Sequence, residues 1–274
     1  MPKIKLKLKG RPGWHIECSA MSVKYLGQPF DIHAGGIDLV FPHHENEIAQ
    51  SEGAYGKKLA RYWFHNEHLL VDGKKMSKSL GNFFTLRDLL RKGYTANAIR
   101  YLLLSVHYRQ QLNFTEEGLE SAGNATHRLQ TFIDKLQIFK RVLSKKERDQ
   151  EVRSLIEKTE KNFVNKMDDD LNISEALAVL FDFLTSVNKK MAPHGIDKRD
   201  ALDILAFMKR IDSVLGVLDF EKERIPESIK NLAAQRGEAR KKKDFAQADR
   251  IRDEIVKKGY SIEDTKGKSE IKKI

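Results

Sequence analysis

The sequence is poor in cysteine: its 274 residues contain a single one, Cys18. One cysteine cannot close an internal disulfide, which excludes a disulfide-stabilised scaffold and is typical of a reducing compartment. Long apolar runs are also missing, since no stretch reaches the ~18 consecutive apolar residues of a membrane-spanning helix. The first residues do not form an apolar segment of signal-peptide length. We therefore expect a cytoplasmic protein without a membrane partner.

Acidic residues are scarcer than basic ones. Asp and Glu number 39 against 50 Lys and Arg, which gives a net charge of +11. Such an excess favours a polyanionic partner, most commonly nucleic acid. The length predicts roughly two domains at about 150 residues each. A hydrophobic fraction of 40% is enough for a globular core.

The N-terminal third has the pattern of an α/β layer. Residues 1–9 alternate lysine with apolar residues, which is as consistent with a frayed start as with a half-solvated strand. A helix is predicted over Trp14–Leu26 and a strand over Phe30–His33. The small residues Ala34–Gly36 predict a loop, followed by a helix from about His43 to Glu52. Strand, glycine loop and helix form one unit of an α/β fold.

The next segment contains a hairpin signal and then becomes helical. Asp72-Gly73 separates two short strand-like runs, which is the strongest short-range indication of a hairpin. After about Leu86, apolar residues recur at helical spacing almost to the end, predicting an antiparallel bundle. Residues 221–274 carry 16 basic and 11 acidic residues, a net charge of +5. Within them, Asp244 is predicted to cap a helix.

Two lysines follow the hairpin in the string KMSKS, residues 75–79. Their ammonium groups could reach a phosphate chain and stabilise the negative charge that develops as pyrophosphate leaves. A lysine-rich loop is usually only a solvated basic turn. This particular string, directly after a hairpin, instead favours a phosphate contact.

A second group has the residue types of a metal site. His43 and Glu47 are four residues apart, so their side chains project from one face of the predicted helix. Imidazole and carboxylate are both zinc ligands, although an ordinary surface pair has the same spacing. His44 has Ile48 at the matching position and cannot form that pair. Cys18 lies in the first turns of the preceding helix, where a metal would favour its thiolate; the alternative is a small buried residue.

The acidic run Asp168–Asp170 permits two interpretations. Three adjacent carboxylates suggest a magnesium site. The segment from Asp170 to Glu175 also has the composition of a helix start, and we favour this second interpretation.

Three stretches are informative in combination. They are GRPGWHIECS over residues 10–19, FDIHAGGIDLVFPHHENE over residues 30–47 and KMSKS over residues 75–79. In this order they resemble the cysteinyl-tRNA synthetase family of class I aminoacyl-tRNA synthetases. The resemblance extends from about Gly10 to near the C-terminus.

The resemblance implies an α/β fold followed by a mainly α-helical region. Residues 10–92 would be the C-terminal part of a Rossmann-type catalytic domain that includes the KMSKS loop. Residues 93–220 would form a helical bundle of the DALR type. Residues 221–274 would be a small helical tail that binds tRNA at the anticodon, and residues 1–9 would be an atypical N-terminal segment.

The resemblance also implies an activity. The family activates cysteine with ATP and Mg²⁺ to cysteinyl-adenylate and transfers it to tRNA(Cys). Its zinc ion is held by two cysteines, a histidine and a glutamate, and binds the substrate thiolate; Cys18, His43 and Glu47 match three of these ligands. An apolar pocket cannot strongly reject serine, whereas zinc prefers thiolate.

The remaining roles implied by the resemblance concern the two small substrates. The expected residues beside cysteine are Trp14, as an aromatic wall, and His33. The expected ATP-binding residues are Gly35, Gly36 and Asp38 in the nucleotide loop, and Lys78. The expected catalytic residues are Lys75 and Lys78, with Lys78 contacting phosphate.

The family's N-terminal half has no counterpart in this sequence. That half contains the first of the two cysteines that bind zinc and the His-Ile-Gly-His signature that binds ATP. We therefore expect a zinc site that lacks one ligand, a chain that is inactive alone, and a separate N-terminal half as a partner. The alternative is a non-enzymatic tRNA-binding fragment, motivated by the basic tail. A ligase that joins cysteine to a sugar amine is a third possibility, and the helices beyond Ile225 argue against it.

Overall fold

The computed structural model describes residues 10–139, 149–194, 196–220, 226–242, 244–265 and 268–273. The lysine-rich residues 1–9 lie outside this part. The chain divides into two compact units, with the boundary between residues 218 and 219. None of the described helices combines the length and the apolar character that crossing a membrane requires.

The first unit begins with an α/β layer. Helix α1 (Trp14–Leu26) has the predicted bounds, and strand β1 (Phe30–Gly36) follows it. The predicted loop over Ala34–Gly36 was wrong, because these residues continue β1. They pair in parallel with strand β2 (Ala60–Asn66), which the sequence analysis missed. Ladder hydrogen bonds to β2 thus outweigh the weak strand preference of the two glycines.

A compact reversal connects β1 to helix α2 (Glu45–Tyr55). It consists of a 3-10 turn at Ile37–Leu39 and a wider turn at Val40–His44, with Phe41 in an extended conformation. The helix therefore begins two residues later than predicted. His43 precedes the regular helix, yet it remains one turn from Glu47.

A three-stranded sheet carries the predicted hairpin. Strands β3 (Leu69–Val71) and β4 (Lys74–Lys75) are antiparallel. Asp72 and Gly73 have φ values of 49° and 71°, the left-handed pair that a two-residue hairpin turn requires. Strand β5 (Leu112–Phe114), which was not predicted, pairs with β3 in parallel.

The rest of the first unit is helical, as the apolar spacing predicted. Its helices are α3 (Leu86–Arg91), α4 (Ala96–Leu104), α5 (Glu116–Phe139), α6 (Gln150–Asp168), α7 (Ile173–His194) and α8 (Lys198–Leu215). The bundle core contains Phe132, Phe183 and Phe207, each at most 2% exposed. The ring centroids of Phe183 and Phe207 are 4.9 Å apart in an edge-to-face arrangement.

The acidic run lies at the junction of α6 and α7. Helix α7 does begin close by, as predicted, but its first turn is capped by Asn172, whose Oδ1 accepts from the Glu175 N–H at 3.3 Å. The Asp170 carboxylate instead accepts hydrogen bonds from Arg109 and from the Tyr108 hydroxyl. Asp170 is thus held by a cation and a hydroxyl, which argues against the magnesium interpretation.

The second unit is not purely helical as predicted. Helices α9 (Glu227–Lys241) and α10 (Phe245–Lys257) are followed by an antiparallel hairpin of β6 (Tyr260–Thr265) and β7 (Lys268–Lys273). Apolar residues from both helices and the hairpin form its core: Ile229, Ile251, Ile255 and Ile262. The predicted cap is confirmed, since Asp244 accepts from the Gln247 N–H at 3.0 Å. The hairpin was missed because charged residues interrupt its alternation.

The aromatic bundle core generates a stability prediction. Phe207→Ala should lower the free energy of unfolding by about 3–5 kcal/mol, because it removes a fully buried ring and leaves a cavity. Urea-induced unfolding followed by circular dichroism measures this loss. Leu202→Ala is the matched control on the same helix, since Leu202 is 44% exposed, and it should cost less than about 1 kcal/mol. Equal losses for both variants would contradict the assigned core.

Candidate metal centre and active site

The candidate site lies where the carboxyl ends of the parallel strands meet the neighbouring helices. Ligand sites in α/β sheets characteristically form at this edge. Helix α1 contributes Cys18, the middle of β1 contributes His33, and the reversal before α2 contributes His43. The first turns of α2 contribute Glu47. The fold thereby assembles side chains that are up to 29 positions apart in the sequence.

Cys18, His43 and Glu47 form one donor group, in agreement with their grouping in the sequence analysis. One ligand atom from each, the sulfur, an imidazole nitrogen and a carboxylate oxygen, lies within 4.8 Å of the others. His43 is 8% exposed, Glu47 is fully buried and Cys18 is half-buried. Such a set of sulfur, nitrogen and oxygen donors has the chemistry of a zinc site.

The Glu47 carboxylate is the test of whether a metal fits here. Its Oε2 is 2.6 Å from His33 Nε2. Its Oε1 is 3.2 Å from His43 Nε2, yet it has no well-aligned hydrogen bond from the described residues. A buried carboxylate oxygen without a partner is costly. A cation between Oε1, the Cys18 thiol and the His43 ring would satisfy it, so the residues fit a metal ion.

The surroundings of Cys18 favour the protonated thiol when no cation is present. Burial raises the pKa of the Cys18 thiol, and the nearby Glu47 charge raises it further. Without a cation, the protein thus disfavours the thiolate. A bound metal would reverse this balance, since it would hold the deprotonated sulfur directly.

Two histidines beside the donor group, His44 and His65, were given no role there by the sequence analysis. His44 Nδ1 is 2.8 Å from His65 Nε2, so His44 has a partner on β2 rather than on α2. His33, His44 and Glu47 also bring donor atoms within 4.8 Å of one another. Burial, more than the neighbouring His33 charge, lowers the pKa of His44 to about 4, so that its ring is neutral at pH 7.

His65 and Trp63 are the site residues that the sequence analysis missed. Trp63 pairs with His33 in the β1–β2 register, and His65 pairs with Gly35. The alternation of Trp63 and His65 in an apolar run was the available signal, since both side chains project from the same face of β2. Recognising it required the prediction of β2.

The glycines of β1 permit this crowding. A Cβ at Gly35 would lie 2.8 Å from the His44 ring and 3.0 Å from Leu39. A Cβ at Gly36 would lie 2.5 Å from Asp38 Oδ1. Both glycines thus serve close packing at the strand end, and Asp38 is exposed in the turn that follows.

Trp14 also lies at this site. Its ring centroid is 4.3 Å from that of His43, while 60% of the residue is exposed. The indole therefore flanks the donor group and leaves one side open.

The lysines of residues 75–79 belong to a different sheet. Lys75 ends β4 and Lys78 lies in the turn after it, and both are exposed. Asn82, which the sequence analysis did not single out, shapes this turn. Its Oδ1 accepts from the Ser77 N–H at 2.9 Å and its Nδ2 donates to the Lys75 carbonyl at 3.1 Å. The Lys78 ammonium lies 5.7 Å from the centroid of the Phe83 ring.

Comparison with protein families gives three consecutive matches. Residues 7–124 match the class I (C) catalytic domain of tRNA synthetases, and residues 162–219 match the DALR domain. Residues 222–271 match the anticodon binding domain of cysteinyl-tRNA ligase.

The curated relatives are named cysteine–tRNA ligases. The cysteine–tRNA ligase of Chlamydia muridarum is 52% identical over 276 residues, covering 97% of this chain and 57% of the relative. That of Protochlamydia amoebophila is 48% identical over 266 residues, covering 96% of this chain and 55% of the relative. The chain thus spans little more than half the length of these relatives.

Solved structures share the fold. A LeuRS–tRNA–LeuAMS complex from Agrobacterium radiobacter K84 aligns with a TM-score of 0.54 at 16% identity, covering 70% of this chain and 27% of that one. Methionyl-tRNA synthetase from Mycobacterium tuberculosis, bound to methionyl-adenylate, aligns with a TM-score of 0.51 at 20% identity, covering 66% and 38%. Together with the domain order and the curated relatives, these likenesses establish that the chain belongs to the cysteine–tRNA ligase family of class I aminoacyl-tRNA synthetases, as the C-terminal part of its relatives.

Proposed function

We propose that this chain supplies the cysteine-selecting and tRNA-binding part of a cysteine–tRNA ligase. The proposed reaction is the activation of cysteine by ATP to cysteinyl-adenylate, followed by transfer to tRNA(Cys). The observation that carries the proposal is the buried Glu47 oxygen that faces Cys18 and His43. Family membership supports it, and a cytoplasmic location accords with this role.

The amino-acid site is proposed to recognise a thiolate. Cys18, His43 and Glu47 would hold zinc, which when bound supplies a Lewis acid that prefers thiolate over hydroxyl. Trp14 would form one wall beside the substrate. His33 would act at this site by orienting the Glu47 carboxylate, to which it is bonded at 2.6 Å. Since the 274 residues contain one cysteine, the second thiolate that the family resemblance implies would come from outside them.

ATP with Mg²⁺ is proposed to bind beside this site. Gly35, Gly36 and Asp38 would face the nucleotide, and Lys75 and Lys78 would act on its phosphates. Lys78 is proposed to stabilise the charge that develops when pyrophosphate leaves, because a positioned cation is most effective where the transition state gains charge. The Asn82 hydrogen bonds would hold the lysine turn in shape for this role.

The proposed domain roles follow the order of the family matches. Residues 10–92 would hold the catalytic part, 93–220 the helical bundle, and 221–274 the tRNA-binding tail.

The proposed polypeptide partner is the family's N-terminal half, either as part of a longer chain or as a separate one. Parallel sheets are normally covered on both faces. The β1–β2 sheet has two strands in the described part of the chain, and one of its faces carries exposed apolar side chains. Its register partners Ile32 and Tyr62 are 64% and 69% exposed. Added strands and helices from an N-terminal half would cover this apolar face.

The donor group predicts metal binding. Titration of the chain with Co²⁺, a spectroscopic substitute for Zn²⁺, should produce a thiolate-to-metal absorption band. Glu47→Gln should weaken Co²⁺ affinity by at least about 10–100-fold, since losing a group that only supports a ligand already has an effect of that size. Glu45→Gln is the matched control, because Glu45 is exposed on the same helix. An unchanged affinity in Glu47→Gln would contradict the assigned ligands.

The catalytic role predicts complementation. The chain alone should lack cysteine-dependent ATP–pyrophosphate exchange, and the N-terminal half of the Chlamydia muridarum relative should restore it. Lys78→Ala should then reduce the rate by about 100-fold or more, because one transition-state contact is lost. Lys74→Ala, an exposed lysine on β4, should leave the rate nearly unchanged. Strong exchange by the chain alone would contradict the need for the second half.

The alternative function is tRNA binding without catalysis. It is supported by the net charge of +5 in residues 221–274. Filter binding of tRNA over a salt series should show steep salt dependence. Replacing the exposed Arg250 and Arg252 by Gln should reduce the salt slope by about 2. Asp253→Asn on the same helix should not weaken binding. Salt-insensitive binding would exclude this tRNA-binding role. If tRNA binds but ATP–pyrophosphate exchange is still absent after the N-terminal half is added, tRNA binding without catalysis is favoured.

A further inference from the structure

The turn between α6 and α7 has an unusual backbone. Asp170 and Leu171 have φ values of 53° and 58°, and neither is glycine. Aspartate tolerates this left-handed region, but leucine enters it only at a cost in free energy. The turn closes the end of α6, since the Leu171 N–H donates to the Met167 carbonyl and the Asn172 N–H to the Lys166 carbonyl, each at 3.0 Å.

The same turn presents the Asp170 carboxylate to two neighbouring side chains. Arg109 Nε donates to Oδ2 at 2.5 Å and Arg109 Nη2 donates to Oδ1 at 3.3 Å. The Tyr108 hydroxyl also donates to Oδ1. The Arg109 hydrogen bonds hold the pKa of Asp170 below its usual range. Because the Arg109–Asp170 pair is about half exposed, it contributes little to the free energy of folding. Its two parallel hydrogen bonds instead fix the relative orientation of the two side chains.

Tyr108 connects this turn to strand β2. Its ring is stacked on Phe64, with centroids 4.1 Å apart and planes inclined by 20°. The Tyr108 carbonyl accepts from the Glu67 N–H at 2.8 Å. One residue thus holds the last part of β2 through a ring contact and the segment after it through a backbone hydrogen bond.

The end of β2 in turn holds the histidine group. Phe64 and His65 project from opposite faces of the strand, so fixing the Phe64 ring fixes the strand from which His65 extends. His65 Nε2 is 2.8 Å from His44 Nδ1. His44 shares the donor group of His33 and Glu47.

We propose that Asp170 is a positioning residue for the candidate site. By holding Tyr108 and Arg109, it sets the position of the C-terminal end of β2 and thereby the orientation of His65 against His44. The position of the turn between α6 and α7 is then coupled to the geometry of the donor group. The turn that contains the left-handed Leu171 places Asp170 beside Tyr108. The inference goes beyond the proposed function and does not depend on it.

The test uses the 274-residue chain without metal or substrates. Asp170→Ala should accelerate amide hydrogen exchange at Glu67 by about tenfold or more, because local opening becomes easier. It should also displace the ring ¹⁵N chemical shifts of His65 and His44 at fixed pH. Asp170→Asn, which keeps an acceptor and tolerates the left-handed conformation, should restore most of both signals.

The matched control is Arg210→Ala. Arg210 forms a comparable two-point pair with Glu160, between α8 and α6, at 2.8 and 3.0 Å. Loss of that pair should leave the histidine shifts unchanged. Should Asp170→Ala fail to fold, Tyr108→Phe removes one hydroxyl and should give a smaller displacement in the same direction. Unchanged histidine chemical shifts in a folded Asp170→Ala variant would overturn the proposal. If that variant is unfolded, unchanged shifts in Tyr108→Phe would overturn it. Displacements in Arg210→Ala as large as those in the Asp170 or Tyr108 variant would also overturn it.

Discussion

The burial of one carboxylate constrains the α/β part of this molecule. Glu47 is fully buried, and an ionised carboxylate removed from water costs several kcal/mol unless other groups compensate it. The surrounding elements provide part of that compensation: His33 is hydrogen-bonded to one oxygen, and His43 and Cys18 lie towards the other. The three come from β1, the reversal after it, and α1. A bound cation would complete the balance, which is why the functional proposal depends on Glu47.

The close packing around this carboxylate explains the local backbone. Gly35 allows the His44 ring to lie against β1, and the parallel register brings Trp63 opposite His33 and His65 opposite Gly35. The histidines around Glu47 therefore depend on a strand that follows the proposed metal ligands in the chain. The turn between α6 and α7 is connected to the same strand through Tyr108, so the α/β layer and the helices of the first unit share more than a covalent connection.

Sequence reasoning succeeded where the determinants are local. The bounds of α1, the Asp72-Gly73 hairpin and the Asp244 cap each follow from a few adjacent residues. The grouping of Cys18, His43 and Glu47 came from the family resemblance together with helical spacing, and their geometry agrees with it. Failures occurred where partners are distant. Gly35 and Gly36 form a strand only because β2 pairs with them, and the C-terminal hairpin is stabilised by α9 and α10.

The central claim is that Cys18, His43 and Glu47 bind one metal ion together. X-ray absorption at the zinc edge, on the zinc-loaded chain, tests it most directly. We expect one sulfur scatterer at about 2.3 Å and nitrogen or oxygen scatterers at about 2.0–2.2 Å, with the sulfur lost in Cys18→Ser. A zinc environment without sulfur, or one that is identical in Cys18→Ser, would contradict it.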